Sequence, residues 1–549
     1  MRKRNRCGRA FVTRGGFALG FALAAFGAGA ATGGWSNTAS RAYPLANAVA
    51  VGVLPENQPL RIVLGLKLQN EGALDDFLAR SRTPVTRDYG RSLSGAEFVA
   101  AYAPSLRQVQ AVTDYLRRAG FSDIVVAPNR LLVSATAPAA SVEAAFATQL
   151  MRFEYQGRTV YANTLDAKVP AALGGLVQAV LGLQNAEHPQ PLLELPSAAT
   201  PAATTAGHNP VAFAAIYDAT SVAPGAGTDL GIVTDGDLTQ TVADFQAFEN
   251  QNGLSVPLHF VPAEVNGSDT SGTLEWDLDS QSAAGIAGGL RSITFYNAAS
   301  LSDADLAMAY NDAVVANAVK AINVSLGICE KSEHTSGGMA VDDAIFKQAA
   351  AQGQTFFVSS GDGGSHTGCS GHGGLTVQVS YPASSPYVVA VGGTTLSTNG
   401  NAYAGETAWS GSGGGVSKYE PAPSWQQALT GSAARLVPDV AMDADPNSGA
   451  LVINGGGTTQ VGGTSLAAPL AAGTWTRAQS AHGNALGFAA PLIYAANGAT
   501  PTPYHDVTSG SNAGLLGGLL GGCCSAGPGY DEVTGLGSFD IANFNAAVP

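Results

Sequence analysis

Four nearly continuous apolar segments in the second part of the chain constrain its fold more than any other feature. Helical stretches such as 303–320 lie between them, and strands that are buried on both faces have this apolar pattern. From about residue 210 the sequence therefore predicts an α/β fold, with a parallel sheet covered by helices on both faces. Functional sites in such folds form at the carboxyl ends of the strands. The four segments are 230–234, 321–325, 355–359 and 387–391.

The first part of the chain has a different pattern, which is typical of a compact α+β unit. Short strands and amphipathic helices, such as the predicted helix at 105–118, alternate between residues 55 and 185. Segment 186–207 is rich in Ala, Pro and Thr, and this composition predicts an exposed linker. We therefore expect a small domain at 55–185, a linker at 186–207 and a larger domain at 208–549.

The charge distribution argues against binding of nucleic acid. The chain of 549 residues has a net charge of −14, and from His208 onward 28 acidic residues stand against 7 basic ones, a net charge of −21. Such a body offers no basic surface to phosphate groups. We also expect it to tolerate low pH, because its carboxylates become neutral and little positive charge accumulates.

The first 30 residues have the three parts of a secretory signal peptide. Six basic residues lie within the first 14 positions, an apolar segment follows at 17–26, and Ala28-Gly29-Ala30 fits a small-residue cleavage site. A membrane anchor is the alternative, but the apolar run is short and rich in Gly and Ala. We expect removal of residues 1–30, export to the extracellular medium or the periplasm, and no membrane association afterwards.

The octet at 462–469, Gly-Gly-Thr-Ser-Leu-Ala-Ala-Pro, has the composition of a nucleophile at the start of a buried helix. Its glycines allow the backbone to approach a substrate closely, and Pro469 suits the first turn of a helix. The helix N-terminus offers unpaired N–H groups to a developing oxyanion. The alternative is a turn that caps an ordinary buried helix. On the first interpretation, Ser465 is the candidate nucleophile.

Glu275 and Asp279 lie four residues apart in a predicted helix and therefore share one face. Leu274, Trp276 and Leu278 interleave with them, which favours partial burial and pKa values that are pushed apart. The alternative is a solvated acidic face at a helix start. None of the eight histidines has a comparable pattern around it. A glutamate still accepts a proton at acidic pH, where histidine is already protonated, so Glu275 is the candidate base.

Asp362 directly follows the predicted strand at 355–359 and stands between glycines. An acid in a loop at the end of a strand is well placed to line a cleft. The alternative is a turn aspartate that bonds to its own backbone.

In their order along the chain, these motifs resemble those of the sedolisin family of serine-carboxyl peptidases. The resemblance also rests on Val-Tyr-Ala-Asn at 160–163, Tyr-Pro-Ala-Ser-Ser-Pro-Tyr at 381–387 and Gly-Gly-Gly-Val-Ser at 413–417. It implies an acid-acting endopeptidase with a subtilisin-like fold, preceded by a ferredoxin-like activation propeptide. It also implies a precursor that cleaves itself within 186–207 and is inhibited by its own propeptide until then.

The resemblance gives a role to each matching residue. Ser465 would be the nucleophile, Glu275 the general base and Asp279 its hydrogen-bonded support. A protonated Asp362 would donate a hydrogen bond in the oxyanion hole, together with the backbone N–H of Ser465. The edge that pairs with the backbone of a polypeptide substrate would be formed by Ser325, Leu326 and Gly327.

The resemblance further implies one structural calcium ion near the C-terminus. Two carboxylates with carbonyls and water suit a hard, oxygen-seeking cation. The alternative is a pair of glycine-rich surface turns, and the stretch 515–524 between the two halves departs from the family pattern. The matching ligands would be the side chains of Asp506 and Asp531 and the carbonyls of Val507, Gly527 and Gly529.

The sequence leaves two other functions open. One is a catalytically inactive, calcium-stabilised secreted binding protein on the same scaffold. The other is a serine hydrolase that works near neutral pH with a histidine base. We expect a monomer in each case. Cys329 and Cys369 could pair in an exported protein, and related bacterial sequences imply the same disulfide.

Overall fold

The computed structural model describes residues 34–83, 86–196, 207–262, 268–366, 377–513 and 523–548. The predicted signal peptide, most of the C-terminal half of the predicted linker, and Cys369 lie outside the described residues. Across the described ranges, none of the helices combines the length and the apolar character that a bilayer crossing needs.

The first unit is an antiparallel sheet with two helices packed against it. Its sheet has the order β4-β5-β3-β9, with the first of these strands in the chain, β3, between β5 and β9. This strand order, with helices in both crossovers, is the ferredoxin-like arrangement that the family resemblance implied. The strands are β1 (Trp35–Asn37), β2 (Val49–Val53), β3 (Pro59–Leu66), β4 (Ser122–Val126), β5 (Leu132–Pro138), β6 (Leu150–Tyr155), β7 (Arg158–Asn163), β8 (Lys168–Pro170) and β9 (Val177–Leu181). The helices are α1 (Glu71–Arg82), α2 (Gly95–Ala101), α3 (Leu106–Arg118) and α4 (Ala139–Phe146).

Helix α3 shows how local sequence determines these elements. Ser105 accepts a hydrogen bond from the backbone N–H of Gln108, and the Gln108 side chain accepts one from the Ser105 backbone, which forms a capping box. Val109, Val112 and Leu116 recur at helical spacing and are buried in the core of this unit. The amphipathic helix therefore begins at its cap and packs its apolar face on the sheet.

The second unit is built on a sheet of eight strands. Their order is β12-β13-β11-β14-β16-β18-β19, and β22 also pairs with β18. The strands are β10 (Gln190–Pro191), β11 (Asp229–Asp235), β12 (Leu258–Val261), β13 (Ser292–Ala298), β14 (Ala321–Val324), β15 (Leu326–Cys329), β16 (Thr355–Ser359), β17 (Ser380–Tyr381), β18 (Val389–Asn399), β19 (Ala402–Ala408), β20 (Gly415–Pro421), β21 (Ala434–Val437), β22 (Val440–Asp443), β23 (Ala450–Asn454), β24 (Gly457–Val461), β25 (Tyr504–His505) and β26 (Ser538–Phe539). The helices are α5 (Phe213–Ile216), α6 (Thr239–Asn252), α7 (Thr273–Ala287), α8 (Asp303–Ala316), α9 (Glu330–Ser336), α10 (Gly338–Gln352), α11 (Ser424–Thr430), α12 (Thr464–Ala481), α13 (Ala489–Ala496) and α14 (Ile541–Ala547).

The predicted parallel, helix-covered sheet is confirmed. All pairs between neighbouring strands of the sheet are parallel except β18 with β19. The four apolar segments found in the sequence form β11, β14, β16 and the start of β18. Helix α12 contacts β14, β16, β18 and β22 and packs against α7, so both helices are central to the fold.

One predicted helix is shorter than expected. The sequence predicted a helix over 303–320, whereas α8 ends at Ala316. Asn317 has a φ of 45°, in the left-handed region, and its backbone N–H donates to the Ala313 carbonyl. Asparagine tolerates this conformation, which ends the helix there.

The small unit packs on the large one through α1 and α10. Leu74 and Phe77 of α1 belong to the same buried apolar cluster as the core of the parallel sheet. Beside them Lys347 of α10, only 6% exposed, forms ion pairs with Glu71 at 2.6 Å and Asp75 at 2.9 Å. The contact therefore combines apolar burial with a lysine clamped between two carboxylates of the small unit.

Candidate active site

Ser465 is the second residue of α12 and is fully buried. Gly463, just before the helix, has a φ of 94°, a conformation that favours glycine. A side chain there would also meet other atoms, because its Cβ would lie 2.3 Å from the carbonyl oxygen of Leu192 and 2.8 Å from the Cα of Leu193. The glycine thus lets another backbone segment come close to the Ser465 hydroxyl.

Pro469 does not lie in the first turn of the helix, as the sequence suggested, but is the sixth residue of α12. A proline at this point has no N–H to donate to the carbonyl four residues earlier, which is that of Ser465. The Ser325 hydroxyl lies 3.4 Å from this carbonyl oxygen. The carbonyl that the proline leaves without a helix partner thus lies next to the Ser325 hydroxyl, which can donate to it.

Glu275 and Asp279 lie on α7, and both are fully buried. The alternative of a solvated acidic face is therefore wrong. Desolvation raises the pKa of Glu275 well above its usual value, the charge of Asp279 raises it further, and the nearby Ser465 hydroxyl opposes the shift. Neither Glu275 carboxyl oxygen has a hydrogen-bond partner among the described residues, and the Ser465 hydroxyl donates to the Ser325 carbonyl at 3.3 Å. The Glu275 carboxyl is therefore close to the candidate nucleophile and holds a proton far more readily than an exposed glutamate.

Asp279 is held by the residues at the end of β14. Its Oδ1 accepts a hydrogen bond of 2.5 Å from the Ser325 hydroxyl, which in turn accepts one of 3.0 Å from the Asn323 side chain. Burial raises the pKa of Asp279 to about 8, and the hydrogen bonds from Ser325 and Asn323 limit the shift. Glu275 and Asp279 therefore form a pair of interacting carboxyl groups that titrate together.

Asp362 follows β16 in the loop at the carboxyl end of the sheet. Its Oδ1 accepts hydrogen bonds from the backbone N–H and the hydroxyl of Thr464, at 2.8 and 2.7 Å. Its Oδ2 is buried and has no partner among the described residues. Burial raises the pKa of Asp362 to about 8, so the carboxyl is neutral at lower pH and has a proton to donate.

Segment 190–194 of the predicted linker passes directly over these groups. The strand β10 pairs antiparallel with β15, with Gln190 opposite Gly327 and Pro191 opposite Leu326. The next residue, Leu192, contacts Ser465 itself: its N–H donates to the Ser465 hydroxyl at 3.1 Å, and its carbonyl accepts from the Ser465 N–H at 2.9 Å. This part of the linker is bound in the site, whereas the sequence predicted that it would be exposed.

The structure therefore brings together the seven residues predicted for catalysis and for the substrate edge. Sequence reasoning missed Asn323, Thr464 and Leu192. A polar side chain within the apolar strand β14 was the available signal for Asn323, and the position of Thr464 beside the serine was the signal for that residue. Nothing in the local pattern around Leu192 indicates its position in the site.

The five predicted calcium ligands lie in two neighbouring turns. Both carboxylate oxygens of Asp506 lie 3.1 Å from the backbone N–H of Gly529, and Asp531 accepts a hydrogen bond of 3.0 Å from the N–H of Gly527. The Val507 side chain is buried beside them. The two aspartates thus reach the same turn, where both oxygens of Asp531 already accept hydrogen bonds, from Gly527, Val533 and Thr534.

A second group of possible metal ligands adjoins this loop. One ligand atom each of Asp218, His505 and Asp540 lies within 4.8 Å of the others. Both Asp540 oxygens already accept hydrogen bonds from Asn543 at the start of α14. The sequence gave no indication of this group, because its members come from distant parts of the chain.

Only one cysteine of the predicted Cys329–Cys369 disulfide lies among the described residues. Cys329 is buried in β15 and lies 2.9 Å from the Gln378 side chain. Its expected partner is outside the described residues, so that pairing stays a prediction. The sulfur atoms of Cys523 and Cys524 are bonded to each other.

Comparison with known proteins agrees with this geometry. Residues 46–186 match the family described as Pro-kumamolisin, activation domain, and residues 267–493 match the Subtilase family. The chain is 44% identical to sedolisin of Pseudomonas sp. (strain 101), over 96% of this chain and 94% of that protein. The chain belongs to the sedolisin family.

Other members of the sedolisin family extend the comparison. The chain is 42% identical to xanthomonalisin of Xanthomonas sp. (strain T-22), over 91% of this chain and 67% of that protein. A solved structure of Pseudomonas sedolisin, a serine-carboxyl proteinase complexed with two molecules of pseudo-iodotyrostatin, aligns with a TM-score of 0.58. At 44% identity this alignment covers 62% of the chain and 98% of that structure. The protein is thus a serine-carboxyl peptidase with an activation propeptide.

Proposed function

We propose that the protein is a secreted, acid-acting endopeptidase in which Ser465 is the nucleophile and Glu275 the base. The observation that carries this proposal is the burial of the Ser465 hydroxyl beside two coupled carboxyl groups. The neighbouring charges that raise the pKa of Glu275 are those of two other carboxyl groups, Asp279 and Asp362. Release of the propeptide would admit water and weaken the desolvation, so that one carboxyl of the pair ionises at acidic pH and serves as the base while the other keeps its proton.

In the proposed reaction, Glu275 accepts the proton of the Ser465 hydroxyl as its oxygen attacks a substrate carbonyl. Before the attack Asp279 shares a proton with Glu275, so the pair carries one negative charge, which the serine proton then neutralises. The Ser465 N–H and the neutral Asp362 carboxyl donate hydrogen bonds to the oxyanion. Glu275 then protonates the leaving amine, and water hydrolyses the serine ester by the same steps in reverse.

The acidic optimum follows from the need for a neutral Asp362. In the closed precursor its pKa is about 8, chiefly because of desolvation, and its ordinary value is 3.8. Release of the propeptide admits water, which weakens desolvation and lowers the pKa towards the ordinary value. Activity of the mature enzyme should therefore be lost as the pH rises through a value between these two limits.

The residues near the C-terminus fit one structural calcium ion. Asp506 and Asp531 would supply carboxylates, and Val507, Gly527 and Gly529 would supply carbonyls. A bound ion would link the turn after β25 to the turn before β26, and no catalytic step involves it. Chelation by EGTA should lower the thermal midpoint of the enzyme, and Asp506→Asn should remove this effect of EGTA. An equal response to EGTA in the variant would exclude this loop as the site.

The precursor form is supported by the contact between the two units. The α1–α10 contact and segment 190–194 in the site make the propeptide an intramolecular inhibitor. In this proposal residues 1–30 direct export to the periplasm or the extracellular medium, 55–185 form the propeptide, 186–207 are cut, and 208–549 are a monomeric peptidase domain. A Cys329–Cys369 disulfide would join β15 to the loop after β16.

The test compares the precursor with its Ser465→Ala variant at about pH 4, where an ordinary glutamate begins to ionise. The wild type should process itself and then hydrolyse a peptide, and the variant should do neither. Ser480→Ala, a hydroxyl removed from the other end of α12, is the matched control and should remain active. Full activity of Ser465→Ala would overturn the proposal. A wild type that binds peptides but cleaves none would indicate the inactive binding protein instead.

A further inference from the structure

Segment 190–194 lies in the site as a polypeptide substrate would, and its contacts identify one peptide bond. On one side of Ser465, the pairing of β10 with β15 continues to Leu192, whose N–H donates to the Ser325 carbonyl at 3.2 Å. On the other side, Glu194 pairs antiparallel with Gly462. The Glu194 N–H donates to the Gly462 carbonyl at 3.1 Å, and the Gly462 N–H donates to the Glu194 carbonyl at 2.8 Å. The bond between Leu192 and Leu193 is therefore held at the nucleophile from both directions.

The Leu192 carbonyl is in the position that an attacked carbonyl requires. Its oxygen accepts a hydrogen bond of 2.9 Å from the Ser465 N–H. The unpartnered Oδ2 of Asp362 faces the same point, because a Cβ on Gly463 would lie 2.3 Å from the Leu192 oxygen and 2.6 Å from this Oδ2. One proposed donor of the oxyanion hole, the Ser465 N–H, thus already contacts this carbonyl, and the other, Asp362, lies near it without a hydrogen bond.

The side chain of Leu192 lies directly against a glycine. A Cβ on Gly327 would lie 2.7 Å from Leu192 Cδ1 and 3.6 Å from its Cγ. A larger residue in place of Gly327 would therefore meet this side chain and also the Ser380 hydroxyl, which would lie even closer to its Cβ. The absence of a side chain at Gly327 therefore leaves room for leucine on the carbonyl side of the bond.

We propose that Leu192–Leu193 is the first bond cut during maturation, and that the mature enzyme prefers leucine on the carbonyl side of the bond it cleaves. This inference rests on the proposed function. The Ser465 oxygen bonds to the Leu192 carbonyl carbon, and the bond to the Leu193 nitrogen breaks. The serine proton passes through Glu275 to the leaving Leu193 amine. Water then releases the propeptide with a carboxylate on Leu192.

The test follows the purified precursor after a shift to about pH 4, a pH at which carboxyl groups titrate. Intact masses and new N-termini are measured over time. The earliest products should end at Leu192 and begin at Leu193. The first cut should be at least about tenfold slower in Leu192→Asp, because a charged carboxylate would replace the alkyl group that packs against Gly327. Leu195→Asp is the matched control, since Leu195 is 51% exposed, and it should be processed at the wild-type rate.

A second arm leaves the linker of the precursor unchanged. The mature enzyme receives a peptide that spans residues 188–196 and should cut it between the two leucines. A Gly327→Val enzyme should cleave this peptide less well. Its loss should be smaller on a second peptide that has alanine in place of Leu192. A first cut elsewhere, or equal processing of Leu192→Asp and Leu195→Asp, would overturn the inference.

The inference and the proposed function fail in different ways. If only the inference is wrong, casein is hydrolysed in a Ser465-dependent manner while the Leu192–Leu193 bond stays intact at early times. If the proposed function is wrong, neither casein nor the precursor is cut at acidic pH.

Discussion

Two pairs of buried side chains, each spaced four residues apart, differ in how their charges are balanced. Arg435 and Asp439 are fully buried, and both carboxylate oxygens of Asp439 accept hydrogen bonds of 2.6 Å from the guanidinium group. Asp439 also accepts hydrogen bonds from the Ala390 N–H and the Tyr494 hydroxyl. Glu275 and Asp279 are equally buried, but each faces another carboxyl group instead of a cation.

The difference separates a structural role from a chemical one. A carboxylate that is fully hydrogen-bonded to a guanidinium keeps its charge and fixes the strands around it. Two buried carboxyl groups side by side do not both ionise, because each charge opposes the other. When one of them is ionised, it can accept a proton from a neighbouring hydroxyl. Equal burial thus produces a rigid ion pair in one place and a proton acceptor in the other.

The largest effect should come from Glu275→Gln. Loss of the general base should lower kcat by about 10²- to 10⁴-fold, because the serine hydroxyl no longer has an acceptor for its proton. Asp277→Asn is the matched control: this neighbour on α7 is also buried, but it accepts a hydrogen bond from Asn454 outside the site. Steady-state kinetics on one peptide should show a loss only for Glu275→Gln. Similar losses in both variants would mean that burial, not position, determines the effect.

Arg435→Met should affect stability instead of chemistry. It leaves the Asp439 carboxylate buried without its cation, which should cost about 3–5 kcal/mol of unfolding free energy. Urea unfolding of a Ser465→Ala precursor measures this without self-digestion. The double variant with Asp439→Leu should recover part of the loss. An unchanged urea midpoint in Arg435→Met would contradict the comparison.

Two substitutions of Asp362 separate the role of its hydrogen-bond donor from the role of its ionisation. Asp362→Ala should lower kcat by about 10²- to 10³-fold, the usual effect of removing an oxyanion-hole donor. Asp362→Asn keeps a hydrogen-bond donor at every pH. It should therefore shift the alkaline limb of the pH–rate profile to higher pH. If the limb stays in place in Asp362→Asn, ionisation of Asp362 does not cause it.

The buried acids should also make the precursor less stable as the pH rises. Burial raises the pKa of Asp235 to about 6, of Asp277 to about 7, and of Asp279 and Asp362 to about 8, from an ordinary value of 3.8. The folded state therefore binds more protons than the unfolded state between these limits. The stability that results is fully present below about pH 4 and is lost as the pH rises through 6 to 8. Urea midpoints of the Ser465→Ala precursor that increase over this range would contradict the assignment.

Local sequence was sufficient for the elements but not for the path of the linker. The apolar runs of β11, β14, β16 and β18 and the capped, amphipathic α3 follow from short-range patterns. The length of α8 was wrong because a single asparagine in the left-handed region ends it. Segment 190–194 has the composition of an exposed linker, yet it pairs with β15 because the edge of the site offers free backbone groups.

The same distinction applies to the site. Spacing alone placed Glu275 and Asp279 on one face of a helix, and family resemblance linked them to Ser465 and Asp362. Their full burial, and the support that Ser325 gives Asp279, depend on tertiary packing of α7 against α12 and β14. No pattern in the sequence alone contains that information.

The most direct test of the account is the pH dependence of kcat/KM for the mature enzyme on a single peptide. Carboxyl groups that handle the serine proton predict a maximum at acidic pH and a loss of activity between about pH 4 and pH 8, as Asp362 ionises. A maximum at or above pH 7, reached through a rise near the histidine pKa of about 6.5, would contradict the account.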